Sequence, residues 1–443
     1  MSTRKQCLSK VFLGLVLITV FSVTSLTFTT YAAKEKQQLV IWDWSDVYKN
    51  EYRKAIDPVL TKFKANHPAI DLKIEAILND DIRTKLLSAA AAGNLPDVAY
   101  LDGQWLYEFV QNGLVIPLDS YVKKWGQKSD YPESVWKSVE FAGKVYGIPG
   151  DGDVRTLLYR TDLLKKAEIK NPPKTWNELL EDAKLLTKDT NNDGKIDQWG
   201  FAMNGGNSEH TSMRSLPWIW DLGGDFVDRN GNPALDSPAI VKTLTYLNSL
   251  VNVYKVSPPD SYMNTKKEVA NLIKSGQAAM AIVGSWEWNG DASFLKTDSI
   301  KDKIATAPIP LPDGAIVKHP YTAAGYGVWV IFNQPKTNPV KNAGWDWISD
   351  CTTTQHMIDI FQYGTGNLSL RKSTFKNQVF QANPVFKTFI EVMPYARPRP
   401  TTPYYELLSS KYRTAVQAVL SKTKTPEQAL KQVQQEVETE IKK

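Results

Sequence analysis

Three short segments of the chain concentrate indole rings and carboxylates: Asp43-Trp44-Ser45-Asp46, Asp102-Gly103-Gln104-Trp105 and Gly284-Ser285-Trp286-Glu287-Trp288. An indole offers a flat apolar face to the C–H face of a pyranose, and carboxylates and amides supply the directional hydrogen bonds that hydroxyl groups need. Trp44, Ser45, Asp46, Asp102, Gln104, Trp105, Trp286 and Glu287 are therefore read as candidate ligand-binding residues. Core packing competes for any single tryptophan. Trp42 is expected in the core because it falls inside an apolar run, whereas Trp44 falls beyond its end.

Each segment follows a run that reads as a strand. Leu39-Val40-Ile41-Trp42 is continuously apolar, as a strand buried on both faces would be. Ile56, Leu60 and Phe63 recur at helical spacing, and Ile70, Leu72 and Ile74 alternate as in a strand. Residues 82–92 are helical, with Gly93 as the stop, and 98–101 form a further strand. A β-α-β-α-β series of this kind makes a parallel sheet whose carboxyl ends share one edge, where ligands of open α/β sheets bind. After Gly147 a second set follows: a helix capped at Thr175, helices over 240–251 and 269–275, and an apolar strand over 278–283. Tyr326 to Phe332 is a new apolar strand, and 406–443 is largely helix-forming.

Composition narrows the class of protein. The 443 residues suit two lobes of roughly 200 residues each better than one core. Residues 1–33 carry a basic start (Arg4, Lys5, Lys10), an apolar stretch over 11–28 and small residues at Ala32-Ala33, the pattern of a cleaved export signal. The apolar stretch also nears the ~18 residues of a spanning helix, so a retained anchor is the competing reading. Removing the segment takes three of the six net positive charges and leaves 6 − 3 = +3, which is no nucleic-acid footprint. Cys351 alone then remains, so no internal disulfide forms, and Cys7 precedes the apolar stretch rather than ending it, as a lipoprotein cysteine would.

Catalytic signatures are absent from the sequence: there is no G-x-S-x-G, H-E-x-x-H or G-x-x-x-x-G-K-[ST], and His67, His210, His319 and His356 share no metal-ligand spacing. A secreted glycoside hydrolase is the serious alternative, with Asp153 and Glu287 as its carboxyl pair. Asp189, Asn191, Asp193, Lys195 and Asp197 occupy places 1, 3, 5, 7 and 9 of an EF-hand-like loop with Gly194 at place 6. Place 12 is Gly200 instead of the bidentate Glu, so a structural calcium or a metal-free Asx-rich turn both fit.

The stretch from Gly147 to Thr187 adds a resemblance. Gly147-Ile148-Pro149 is followed by L-L-Y-R-T-D-L-L-K-K-A from Leu157 and by P-P-K-T-W-N-E-L-L-E-D-A-K from Pro172. In the second half Thr175 caps a helix, with Glu178 three residues on and Trp176, Leu179, Leu180 and Ala183 on one face. This order resembles family 1 of the extracellular solute-binding proteins, the sugar ABC importer group that includes maltose-binding proteins. Arg160 stands where that family has Asn after Tyr.

The resemblance implies an α/β, two-lobed periplasmic-binding-protein fold of type II, with a mostly parallel sheet in each lobe. It divides the chain into signal 1–33, first lobe 34–148 and 317–365, and second lobe 149–316 and 366–443. It further implies Asp153, Trp218, Trp220, Tyr326 and either Tyr404 or its neighbour Tyr405 as ligand-binding residues, with one of the two tryptophans in the core. The implied protein is an exported, monomeric, non-enzymatic receptor. It would bind a mono- or oligosaccharide and deliver it to a membrane permease. A polar non-sugar solute is the other cargo in view.

Overall fold

The computed structural model describes residues 36–44, 53–289, 294–381 and 384–442. The export-signal reading of residues 1–33 lies outside them, as do Ser45 and Asp46. From Gln37 onward the chain is one compact unit built on two large sheets and a small two-stranded one. Its strands are β1 (Gln37–Trp44), β2 (Ile70–Ile77), β3 (Val98–Asp102), β4 (Glu140–Phe141), β5 (Lys144–Val145), β6 (Ile148–Asp153) and β7 (Arg155–Arg160). There follow β8 (Trp199–Ala202), β9 (Ala278–Gly284), β10 (Ile304–Ala307), β11 (Thr322–Ile331), β12 (Leu368–Ser369) and β13 (Ala396–Pro398).

The first sheet has the order β12-β6-β11-β3-β1-β2, with β13 beside the start of β11. The expected series is there: β1 runs parallel to β2 and to β3, joined by the helices Arg53–Asn66 and Asn79–Ala91. The returning strand β11 is antiparallel to both β3 and β6, so the sheet is mixed. The second sheet, β10-β7-β9-β8, is mixed too, with β8 parallel to β9 and β7 antiparallel to it. Only Val154 separates β6 in one sheet from β7 in the other.

Helices cover both sheets, and β9, an inner strand of the second, is apolar and buried along its whole length. In β7, Leu157 packs into a core with Trp176, Trp218, Leu244 and Tyr412, while Leu158 packs into another with Val283, Phe361 and Phe389. The first sheet buries Leu39, Ile41, Val98, Leu101, Val328 and Val330 against Phe63 and Trp347. The Thr175 cap forms as read: its Oγ1 accepts from Glu178 N at 3.2 Å, while the Glu178 carboxylate reaches back to Lys174 N at 2.6 Å.

Two expectations at β1 need correction. The strand continues through Trp44, so Trp44 ends it and does not follow it. It is also not buried on both faces: Leu39, Ile41 and Asp43 are buried, whereas Val40, Trp42 and Trp44 are half-buried, the two tryptophans against the first core. Trp42 is therefore no deep core residue, because it shares the more open face of an eight-residue strand with Trp44.

Candidate functional site

The carboxyl ends of β1 and β3 carry the first half of a crevice, as strand polarity dictates. The Trp44 ring leans on Tyr100 with centroids 4.6 Å apart, and the Tyr100 hydroxyl donates to Asp151. Asp151 also accepts from Asn367 Nδ2 at 2.8 Å, and burial raises its pKa. Beyond β3, Asp102 turns the chain by accepting from Gln104 N at 3.0 Å, and Gln104 Nε2 donates to Pro400 O at 2.6 Å. Trp105 is half-buried against the first core. The Tyr326 ring lies on Gly103, where a Cβ would sit 1.9 Å from it, and burial pushes its hydroxyl pKa up to about 12.

The second half rises from the carboxyl ends of β8 and β9 and the start of β7, since Arg155 pairs with Gly284 across the sheet. Trp286 lies on Gly284, where a Cβ would overlap the ring at 1.9 Å. The Arg155 guanidinium sits over it at 4.8 Å, and the His210 ring is 5.4 Å away. Trp286 is buried, and the Arg155 guanidinium occupies the face of its ring. Glu287 is buried with both oxygens engaged, Oε1 by Arg214 Nη2 at 2.7 Å and Oε2 by Gly284 N at 2.9 Å. Arg214 Nη1 also donates to Asn204 Oδ1. Burial, reinforced by Arg214, Lys266, Arg155 and Arg399, drives the His210 pKa well below the ordinary range and keeps the ring neutral.

Ion pairs link the two halves. Arg399 donates to Asp102 of the first sheet edge and to Glu209, the first residue of the helix Glu209–Asp221, at 3.2 Å. Glu209 also accepts from Tyr405, from Ser409 at 2.6 Å and from Arg413 at 2.8 Å. Asp153 pairs with Arg155 and accepts from Gly325 N at 3.2 Å. Its burial raises its pKa against the opposing pull of Arg155 and Arg399.

Contacts join Asp102 to the second half through Arg399, and Asp153, Trp286 and Glu287 to one another through Arg155 and Gly284, while Trp44, Gln104, Trp105 and Tyr326 make their contacts on the first half. The core place expected for one of Trp218 and Trp220 is taken by both. Each is 1% exposed, because every residue from Thr211 to Asp221 of their helix is buried. The Trp218 Nε1 donates to Pro310 O at 2.8 Å. Tyr404 is 38% exposed at the start of the helix Tyr405–Leu420, and its neighbour Tyr405 is the one joined to Glu209.

In the EF-hand-like loop the acidic oxygens face backbone N–H groups. Asp189 accepts from Asp193 N and Gly194 N, Asn191 from Asp193 N, Asp193 from Lys195 N, and Asp197 from Thr190 N. Among the described residues no group of three or more His, Cys, Asp or Glu side chains is arranged to hold a metal ion.

Sequence reading passed over Asn204, Glu209, His210, Arg214, Arg155 and Arg399. The strand-end rule would have found Asn204 had the short run Trp199–Ala202 been taken as a strand, whereas Glu209, His210 and Arg214 lie in the helix that follows. Arg155 is the first residue of β7, and nothing local marks Arg399.

The family model described as bacterial extracellular solute-binding protein matches residues 48–353, more than half of the chain. The chain belongs to that family. A Brucella abortus protein named as a binding protein is 27% identical over 391 residues, 87% of this chain and 90% of that one. The structure of an ABC transporter solute-binding protein from Thermotoga lettingae, bound with α-D-tagatose, matches with a TM-score of 0.77 and 27% identity. The match covers 90% of this chain and 98% of that one. The maltose/maltodextrin-binding domain MalE of Bdellovibrio bacteriovorus, bound to maltotriose, matches with a TM-score of 0.75 and 26% identity, covering 92% and 100%.

This chain is a solute-binding protein of the ABC-transporter kind, within a family of binding proteins and not of enzymes. Among the described residues no helix is long and apolar enough to cross a membrane.

Proposed function

We propose that this protein is the exported, periplasmic, monomeric receptor of an ABC importer. It closes on a mono- or oligosaccharide between its two sheets and hands the sugar intact to a membrane permease. What supports the reading is the placement of aromatic and hydrogen-bonding side chains at the edges of both sheets, on either side of the Arg399 bridge: Trp44 and Asp102 on one side, Arg155 and Arg214 on the other. Relatives of the same fold bound to tagatose and maltotriose support a sugar over another polar solute. Ligand contacts from both halves would stabilise the closed form.

The test is a thermal-shift screen of residues 34–443 against mono- and oligosaccharides, with chromatography of every stabilising sugar. A saturable rise in melting temperature with intact sugar supports the receptor. Cleaved sugar would make it a hydrolase, and no shift with any sugar would remove the reading.

A further inference from the structure

The second half of the crevice carries buried hydrogen-bond donors that no protein acceptor meets. Arginine can only donate, so Asn204 must turn its amide oxygen toward Arg214 Nη1. Its Nδ2 then points away, and it is buried without a partner in a residue 6% exposed. The Nε–H groups of Arg214 and Arg155 are in the same condition, in residues 6% and 3% exposed. Unlike a hydroxyl, none of the three can reverse its role and become an acceptor.

These donors belong to one connected assembly. Arg214 joins Asn204 to Glu287, Glu287 holds Gly284 N, and Gly284 pairs with Arg155 across the sheet. Arg155 is itself held in place, with Nη1 on Ala323 O at 2.9 Å and on Asp153, and with its guanidinium over the Trp286 ring. A buried donor is costly to leave unmet, so these three, on residues joined through Glu287 and Gly284, call for oxygen acceptors from outside the chain.

Charge decides what carries those oxygens. Arg214 already faces Glu287, and Arg155 already faces Asp153. An incoming carboxylate would meet two resident acidic side chains as well as the two guanidiniums, and it would be desolvated without a cation of its own. An uncharged oxygen completes the set at no such cost.

We infer that Asn204 Nδ2, together with Nε of Arg155 and Arg214, binds acceptor oxygens of an uncharged saccharide, and that Asn204 is a specificity-determining residue. The inference rests on the sugar reading above and adds the polarity of its second-sheet half. Trp286 holds the Arg155 guanidinium and is not the principal surface for a sugar ring.

The experiment is isothermal titration of residues 34–443 with tagatose, mannobiose, maltotriose and trigalacturonate. The wild type is compared with Asn204→Asp, which keeps the acceptor for Arg214 and deletes the donor, and with Arg155→Lys, which keeps the charge and deletes Nε–H. The expected result is that at least one neutral sugar binds and trigalacturonate does not. Each variant then loses about tenfold or more in affinity, while the sugar-free melting temperature of Asn204→Asp stays within a few degrees of wild type. Wild-type affinity in both variants, or a preference of the wild type for trigalacturonate, would overturn the inference while leaving a saccharide receptor in place. No binding of any of the four probes would remove both.

Discussion

The two halves of the crevice are built from opposite chemistry. The edge of the first sheet presents rings and oxygens: Trp44 on Tyr100, Tyr326 on Gly103, and Asp102 at the end of β3. The edge of the second presents nitrogen, from Arg155, Asn204 and Arg214, with Glu287 spent on holding Arg214. A hydroxyl both donates and accepts, so a molecule covered in hydroxyls can satisfy the two surfaces at once. Arg399 makes the same bridge within the protein, from Asp102 on one side to Glu209 on the other.

The contrast is most sharply broken at Arg214. Arg214→Met leaves Glu287 buried with only the Gly284 N–H for company, and it should cost about 3–5 kcal/mol in urea unfolding. Adding Glu287→Leu should restore much of that stability without restoring sugar binding, which separates the fold from the site.

A control that belongs to neither half is His356, which packs between the helices Arg53–Asn66 and Thr354–Tyr363 with Nδ1 3.1 Å from Ala55 O. Burial lowers its pKa to about 4, so the unfolded chain binds the proton first as pH falls. The histidine's contribution is complete above its unfolded pKa near 6.5 and is lost as pH drops toward 4. It amounts to roughly 3 kcal/mol from the size of the shift. His356→Gln should flatten that part of the stability–pH curve and leave sugar affinity at neutral pH unchanged.

Gly284→Ala sharpens the comparison from the second side. Its new Cβ would overlap the Trp286 ring, so the ring and the Arg155 above it must move. Overpacking of this kind costs about 1–3 kcal/mol, and affinity should fall even though no hydrogen-bonding group has been deleted. The smallest expected effect is at the bridge. Arg399→Gln should weaken binding by about tenfold, since its charge-assisted bonds to Asp102 and Glu209 are both lost. It should also raise the radius of gyration of the sugar-free protein in X-ray scattering, because Asp102 and Glu209 lose their shared partner.

Much of the first half was legible in the sequence and most of the second was not. The β1–β2–β3 series could be read because its strands and helices have distinct periods and short connections, and the rule that ligands sit beyond strand ends then pointed to Asp102 and Gln104. On the second sheet, Trp199–Ala202 is four residues long and shows no period, so the donors that follow it went unnoticed. The buried tryptophans were ambiguous for a different reason: the helix Glu209–Asp221 is enclosed on all sides, so an apolar stripe does not distinguish its inner face. The bridge was beyond reach, since Arg399 and Asp102 are 297 positions apart and only the assembled sheets bring them together.

The most direct test of the account is calorimetry with the sugar that most stabilises the protein, comparing wild type with Trp44→Ala from the first half and Asn204→Asp from the second. A crevice that grips one sugar from both sides predicts saturable binding of intact sugar by the wild type and a loss of about tenfold or more in each variant. If either variant bound the sugar as tightly as wild type, the two halves would not share one ligand and the account would be wrong.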